Sequence, residues 1–271
     1  MSLKKLLIGE LIGALCTVLA FSPAIAAVRA PLGFFGIEPE PLTDEIDTAR
    51  PSFSTSPVPL AAGHLQIESG VQLSKIDSDD EDVTLPFALL RAGLAKNLEL
   101  QLGWDGYSDA GVGDRSFKGG TDTTVALKTQ LTGQSGALPA LGLLGQVSLP
   151  TGAGNKTSDS VDPSLGLLWT YDVANAGYFG TALVTSTTDD DDDRIGQSGI
   201  GAGIGVPLAD RLRAYVEYFG TFTRHEAPEH NANAGVIYVV THNMALDAVI
   251  GGGLNAAAPD FYVGAGASLR W

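Results

Sequence analysis

The sequence predicts an all-β protein: a closed antiparallel transmembrane barrel of about twelve strands, with short periplasmic turns and longer acidic extracellular loops. Three observations carry this expectation. Apolar residues recur at every second position from His64 to the C-terminal Trp271, the period of strands whose side chains alternate between two faces. The connections between these runs alternate short and long. Only 17% of the 271 residues are charged, while 44% are hydrophobic and 34 are glycine; soluble domains carry about 25% charged residues and about 7% glycine. Such a composition excludes a disordered chain, which needs low hydrophobicity. Lys and Arg number 16 against 31 Asp and Glu, a net charge of −15, so no nucleic-acid partner is expected: phosphate binding needs a basic stripe.

The chain divides into three segments. Residues 1–26 have the pattern of a signal peptide: Lys4 and Lys5, then an apolar run over residues 6–21 interrupted by Glu10 and Thr17, then Ala24-Ile25-Ala26 as the cleavage site. The run is short for a membrane anchor. Cys16, the single cysteine, falls inside this signal behind Leu15, not behind the small residue a lipid-anchored cysteine wants. No disulfide, thiolate or cysteine-nucleophile chemistry is therefore expected of the mature chain. Cleavage removes Lys4, Lys5 and Glu10 and takes the charge from −15 to −16. Residues 27–62 are rich in proline (Pro31, Pro39, Pro41, Pro51, Pro57 and Pro59). They form either a periplasmic linker or a partial plug inside the lumen, with Arg50 and Phe53 as the candidate plug contacts. Residues 63–271 form the barrel.

The first strand sets the pattern for the rest. Leu65, Ile67, Val71 and Leu73 share one face, and His64, Gln66, Glu68 and Gln72 share the other. Strands are expected near residues 64–74, 83–94, 97–107, 120–132, 138–149, 162–173, 176–187, 197–208, 211–223, 231–241, 244–254 and 260–271. Most are close to the length a tilted strand needs to cross a bilayer, about 9–11 residues. Short turns fall near residues 95–96, 134–136, 175–176, 209–210 and 242–243, and longer polar loops over 76–82, 108–118, 151–161, 187–196, 224–230 and 255–260. Closure follows because an open sheet would expose unpaired backbone to lipid.

A soluble β-sandwich alternates too, but its polar face would look outward and its apolar face inward. Two features favour the membrane. Aromatics (Trp104, Trp169, Tyr171, Tyr218, Tyr238, Phe261, Trp271) sit near strand ends on the aliphatic face, as interfacial girdles do. The opposite face, with Gln66, Glu68, Glu99, Gln101, Lys128, Glu217 and Asp247, is too polar for a dry core. The last strand alternates to a terminal aromatic, which makes Trp271 the expected contact for the outer-membrane assembly machinery. Bilayer lipid and lipopolysaccharide are the other expected partners, besides a small-molecule solute.

Several segments resemble a known family. Thr48-Ala49-Arg50-Pro51-Ser52-Phe53-Ser54-Thr55-Ser56-Pro57 and Gly63-His64-Leu65-Gln66-Ile67-Glu68-Ser69-Gly70 look like the opening signature of the meta-pathway phenol-degradation family of outer-membrane proteins. Leu90-Arg91-Ala92-Gly93-Leu94, Gly120-Thr121-Asp122, Leu149-Pro150-Thr151-Gly152 and Leu246-Asp247-Ala248 fit as well, so the resemblance covers residues 44–271. It implies a transporter-like barrel and uptake of aromatic compounds.

The face presumed to line the lumen carries both signs: Glu68, Glu99, Asp122, Glu217 and Asp247 against Arg91, Lys128, Arg213 and Arg270. Unpaired charge in a narrow tube is costly. These groups therefore form either a salt-bridge lattice that holds the barrel round or a constriction that selects solutes. Inward glycines on strands 197–208, 244–254 and 260–271 are expected to leave space beside them. Asp189, Asp191 and Asp193 have the alternate spacing of a calcium loop, but Arg194 stands where the turn needs glycine and no closing Glu follows; they are weak candidates for cation binding, and no metal or cofactor is expected. His225 and His230 are five apart with Pro228 between them, unlike the four-residue helical spacing of a zinc protease. Two functions follow as expectations: a channel passing small, hydrophobic or aromatic solutes, or a non-conducting structural or surface-interaction barrel. An outer-membrane hydrolase is a distant third, because no histidine has a readable nucleophile beside it.

Overall fold

The two-residue period of the sequence is the period of a wall with different surroundings on its two sides. The computed structural model describes residues 33, 36–42, 44–75, 81–112, 115–153, 156–188 and 193–271; the segment read as a signal, residues 1–26, lies outside them. On the first strands Gln66, Glu68, Glu99 and Lys128 are fully buried, while their outward neighbours Ile67, Leu102 and Leu127 are 40%, 47% and 48% exposed. Polar residues inside and aliphatic residues outside is the inverse of a water-soluble sandwich, and it is what a bilayer imposes on a barrel.

The strands are β1 (Leu65–Lys75), β2 (Glu81–Ala95), β3 (Leu98–Trp104), β4 (Tyr107–Val112), β5 (Arg115–Gly120), β6 (Thr123–Thr132) and β7 (Ala140–Leu149). They continue with β8 (Asp162–Val173), β9 (Ala176–Thr188), β10 (Arg194–Ala209), β11 (Leu212–Thr223), β12 (Glu229–Thr241), β13 (Met244–Gly253) and β14 (Phe261–Arg270). All pairings are antiparallel, and β1 pairs with both β2 and β14, which closes the sheet. At the seam the N–H of Leu65 donates to the carbonyl of Trp271 (3.0 Å) and the N–H of Trp271 to that of Leu65 (2.9 Å). The terminal aromatic thus completes the ladder on the periplasmic side.

The fourteen segments make twelve staves. β3 and β4 pair in turn with the lower and upper lengths of β2, so they are one stave broken at Asp105-Gly106. β5 and β6 form the next stave, pairing with β4 and β3. The break has a local cause: Gly106 has φ +90, and a Cβ there would stand 2.5 Å from the carbonyl oxygen of Pro86, so only glycine fits. Residues 108–118 were expected to be a long polar loop; the ladder instead runs on through Val112 and Arg115. Apolar alternation is absent from these residues because they rise beyond the lipid, yet backbone pairing needs no apolar face. The other strands lie within about three residues of their expected positions.

A concavity of about 790 Å³ on the lipid side is floored by small residues (Ala202, Ala232, Ala234, Gly252) and flanked by Tyr178 and Ile204. It belongs to the hydrophobic belt, whose outward Val216 is 54% exposed near the middle of β11. Replacing Val216 with Arg should cost about 2–4 kcal/mol in denaturant unfolding from liposomes, whereas Leu208→Arg at the periplasmic rim should cost about 0–1 kcal/mol.

Candidate functional site

The lumen is crossed by the chain segment that precedes β1. It enters at the periplasmic rim, where the Ile46 N–H donates to the His242 carbonyl (3.1 Å) and His242 Nε2 lies 3.3 Å from the Leu42 carbonyl. Arg270 donates to the carbonyl of Asp44 (2.8 Å). The segment reaches the middle of the barrel at residues 50–55, crosses to the far wall and descends past Pro57 and Leu60. It rejoins the rim at Gly63, whose φ of +83 brings its Cα against Pro39. Almost none of this backbone is in regular secondary structure, so its N–H and C=O groups have no ladder to join. Irregular backbone at membrane depth survives only when the protein itself supplies partners, and leaving one amide unpaired costs about 1–3 kcal/mol.

The wall supplies those partners with charged side chains. Glu68 accepts from the N–H groups of Ala49 and Arg50 (both 3.1 Å). Glu217 accepts from Phe53 and Ser54 (both 2.8 Å), and Glu99 accepts from Leu60 (2.6 Å). Going the other way, Arg91 and Gln66 each donate to the carbonyl of Asp47 (2.8 Å). Three carboxylates therefore hold five amides of the inserted segment.

The same wall groups neutralise one another. Arg91 forks onto both oxygens of Glu99 (2.8 and 3.0 Å) and reaches Glu68 (3.0 Å); paired, planar contact of this kind is the strong form of the bond. Lys128 Nζ lies 3.3 Å from Glu99, and both side chains are fully buried. Asp247 receives the guanidinium of Arg50 (3.1 Å), which also lies 3.7 Å from the centre of the Phe87 ring, a cation–π contact.

The expected site residues thus fall into two groups. Glu68, Arg91, Glu99, Lys128, Glu217 and Asp247 converge on the inserted segment, Arg50 and Phe53 are the parts they grip, and Arg270 holds its entry point. Two do not join. Arg213 stands apart from the central cluster and meets the segment only at its entry, where it pairs with Glu45 at 2.5 Å with both side chains 40% or more exposed. Asp122 sits in the break between β5 and β6, where it accepts from the N–H groups of Gly152 (2.8 Å) and Ser158 (3.1 Å). It ties down an extracellular loop through those two amides and has no contact with the inserted segment among those described. Asp189 and Asp191 lie outside the described residues; Asp193 is exposed. His230 Nδ1 is 2.7 Å from the Tyr218 hydroxyl on the outer wall, and His225 is exposed with φ 71.

The glycine faces, expected to be open, are filled. A Cβ at Gly70 or Gly266 would stand 2.5 or 2.6 Å from the Arg50 guanidinium, one at Gly201 2.6 Å from the Phe53 ring, and one at Gly142 2.9 Å from Pro57. The space these residues leave beside the ion pairs is the space the segment occupies. Thr181, which accepts from the Thr55 N–H (3.3 Å), and Phe219, stacked on Phe53 with centroids 5.0 Å apart and planes 4° apart, complete the seat. A cleft of about 250 Å³ remains at the periplasmic rim, lined by Glu40, Asp47, Leu60, Arg91 and Arg270 among others.

A polar-lined barrel with an apolar belt is an outer-membrane protein by its physics, and comparison with known proteins gives the class the same outline. The fold matches the COG4313 outer membrane channel from Pseudomonas putida F1 at TM-score 0.59 and 14% identity, over 84% of this chain and 100% of that one. It matches the translocator domain of the autotransporter NalP from Neisseria meningitidis at 0.51 and 13%, over 77% and 88%. It matches the NanC porin at 0.50 and 8%, over 76% and 98%. No curated protein sequence matches. The protein is a β-barrel of the bacterial outer membrane. It belongs to the family described as "Putative MetA-pathway of phenol degradation", which matches residues 48–271.

The Arg50–Asp247 pair offers a direct check. Arg50→Ala leaves a buried carboxylate without its cation and should destabilise the folded state by about 3–5 kcal/mol. Adding Asp247→Asn should restore part of that loss, read as non-additivity in a double-mutant cycle of thermal unfolding.

Proposed function

We propose that the protein is a gated channel for small, hydrophobic or aromatic solutes, with residues 27–62 as its plug. The observation that carries this is the nature of the plug's seat. Within the barrel the segment is held chiefly by hydrogen bonds and ion pairs to wall carboxylates and bases, groups that water can satisfy in its place. A continuous apolar core would have no such substitute. Withdrawal therefore exchanges partners at modest cost and leaves a hydrated, charged constriction. Support comes also from the fold shared with a protein described as an outer membrane channel and another described as a porin, and from the family's association with phenol degradation.

Charge sets the selectivity of the open form. Removal of Arg50 leaves Glu68, Glu99, Glu217 and Asp247 facing Arg91 and Lys128, so the constriction is acidic and favours cations and neutral solutes. The competing account is a non-conducting barrel whose lumen charges serve only to hold the segment; the extent to which those charges are already paired favours it. One experiment separates the two. In planar bilayers, deletion of residues 27–54 should raise single-channel conductance severalfold over the intact mature protein and make the pore cation-selective. Closed barrels from both proteins would establish the non-conducting account.

A further inference from the structure

The tip of the plug is held as a ligand would be held. The Phe53 ring lies parallel to Phe219 with centroids 5.0 Å apart, close to the offset-stacked spacing of aromatic pairs. The ring also rests against β10, where a Cβ at Gly201 would stand 2.6 Å and one at Gly199 3.0 Å from it. Beside the ring, the two oxygens of Glu217 each take one of two successive donors: Phe53 N–H to Oε2 and Ser54 N–H to Oε1, both 2.8 Å. Glu217 makes no ion pair among the described residues; its remaining contact is the Asn233 amide at 3.3 Å. Asn231, the β12 partner of Phe219, carries a buried side-chain oxygen without a hydrogen-bond partner.

None of this seat depends on the plug for its shape. The β10–β11 ladder is continuous from Gln197↔Thr223 to Pro207↔Arg213, so withdrawal of the segment leaves a flat slot with a carboxylate at its edge. The slot is wide because glycine stands where other residues would fill it. Its carboxylate then holds water in place of both strong donors, and a ligand with two donors of its own can displace that water.

Resting on the reading of residues 27–62 as a removable plug, we infer that Gly199, Gly201, Phe219 and Glu217 form a ligand site of the lumen. Its ligand is a planar aromatic ring bearing two adjacent N–H donors and a positive charge, as in an aryl amidinium or guanidinium. Phe53 and Ser54 occupy the site as an internal mimic. The ring stacks on Phe219, and the paired donors fork onto Glu217 with the geometry the two backbone amides now show. A cation also supplies the charge those neutral amides lack, which turns two amide–carboxylate bonds into a bidentate ion pair. An aryl carboxylate of the same size meets repulsion at the same edge.

The test uses benzamidine as probe and benzoate as its charge-reversed counterpart, titrated calorimetrically into the detergent-solubilised mature chain. Deletion of residues 27–54, which removes the ring together with both backbone amides, should bind benzamidine at least roughly tenfold more tightly than the wild type, and the same deletion with Glu217→Gln should lose roughly tenfold or more of that affinity. Benzoate should bind neither. Equal affinity in the wild type and the 27–54 deletion, indifference to Glu217→Gln, or equal binding of benzoate would overturn the site. A second measurement needs no variant: saturating benzamidine should accelerate amide exchange at residues 53–54 of the wild type, and unchanged exchange counts against displacement of the mimic. Binding in detergent does not depend on conductance, so a failure here leaves the channel standing, and a non-conducting barrel leaves this site testable.

Discussion

Everything inside this barrel answers to one constraint: a stretch of irregular backbone at membrane depth must find a partner for each of its polar groups within the protein. The carboxylates of Glu68, Glu99 and Glu217 meet five of its N–H groups, and Arg91, Gln66 and Arg270 meet its carbonyls. Those side chains are charged, so they in turn require one another, which is why Arg91 is clamped between Glu68 and Glu99 and why Lys128 stands behind Glu99. The ion pairs are a consequence of the inserted backbone as much as a brace for the wall. Buried pairs of this kind add little net stability, but breaking one is expensive, so they fix the position of the segment more than they strengthen the barrel.

The number of staves makes room for the insertion. About eight strands enclose a space that side chains alone can fill, and a larger barrel leaves a cavity. With twelve, and with glycine at inward positions such as 70, 201 and 266, side chains from the wall cannot meet across the axis. Chain fills the gap instead. Aromatic rings occupy the space beside several of the remaining glycines: Phe179 at Gly203, Tyr215 at Gly235 and Tyr262 at Gly251. Phe53 does the same at Gly201 from the inserted segment. One packing device therefore serves both the wall and the inserted segment, and the difference between them is that Phe53 belongs to irregular backbone held by polar contacts to wall side chains.

Much of the fold was legible in the sequence because a two-sided wall writes its period directly into the residues. The strand positions, the inward set from Gln66 to Asp247 and the outward aliphatic belt all follow from alternation alone. The upper lengths of two staves, β4 and β5, were not legible, since backbone ladders above the lipid need no apolar face. Asp122 misled for a related reason: its residue type matches the lumen acids, but it sits in a strand break and caps the amides of Gly152 and Ser158. The inward glycines were visible, and the proline-rich segment with Arg50 and Phe53 was visible, but nothing in the letters states that one fits into the other. The partners of Glu217 are backbone amides, which every residue but proline possesses, so no sequence pattern marks them.

Hydrogen exchange of the protein in detergent, resolved over residues 46–60, tests the central claim most directly. If wall carboxylates hold the segment, the amides of Ala49, Arg50, Phe53, Ser54 and Leu60 exchange slowly, approaching the protection of the barrel strands, and Glu217→Gln accelerates Phe53 and Ser54 selectively. Exchange across 46–60 as fast as in the extracellular loop at residues 156–161, and insensitive to Glu217→Gln, would contradict it.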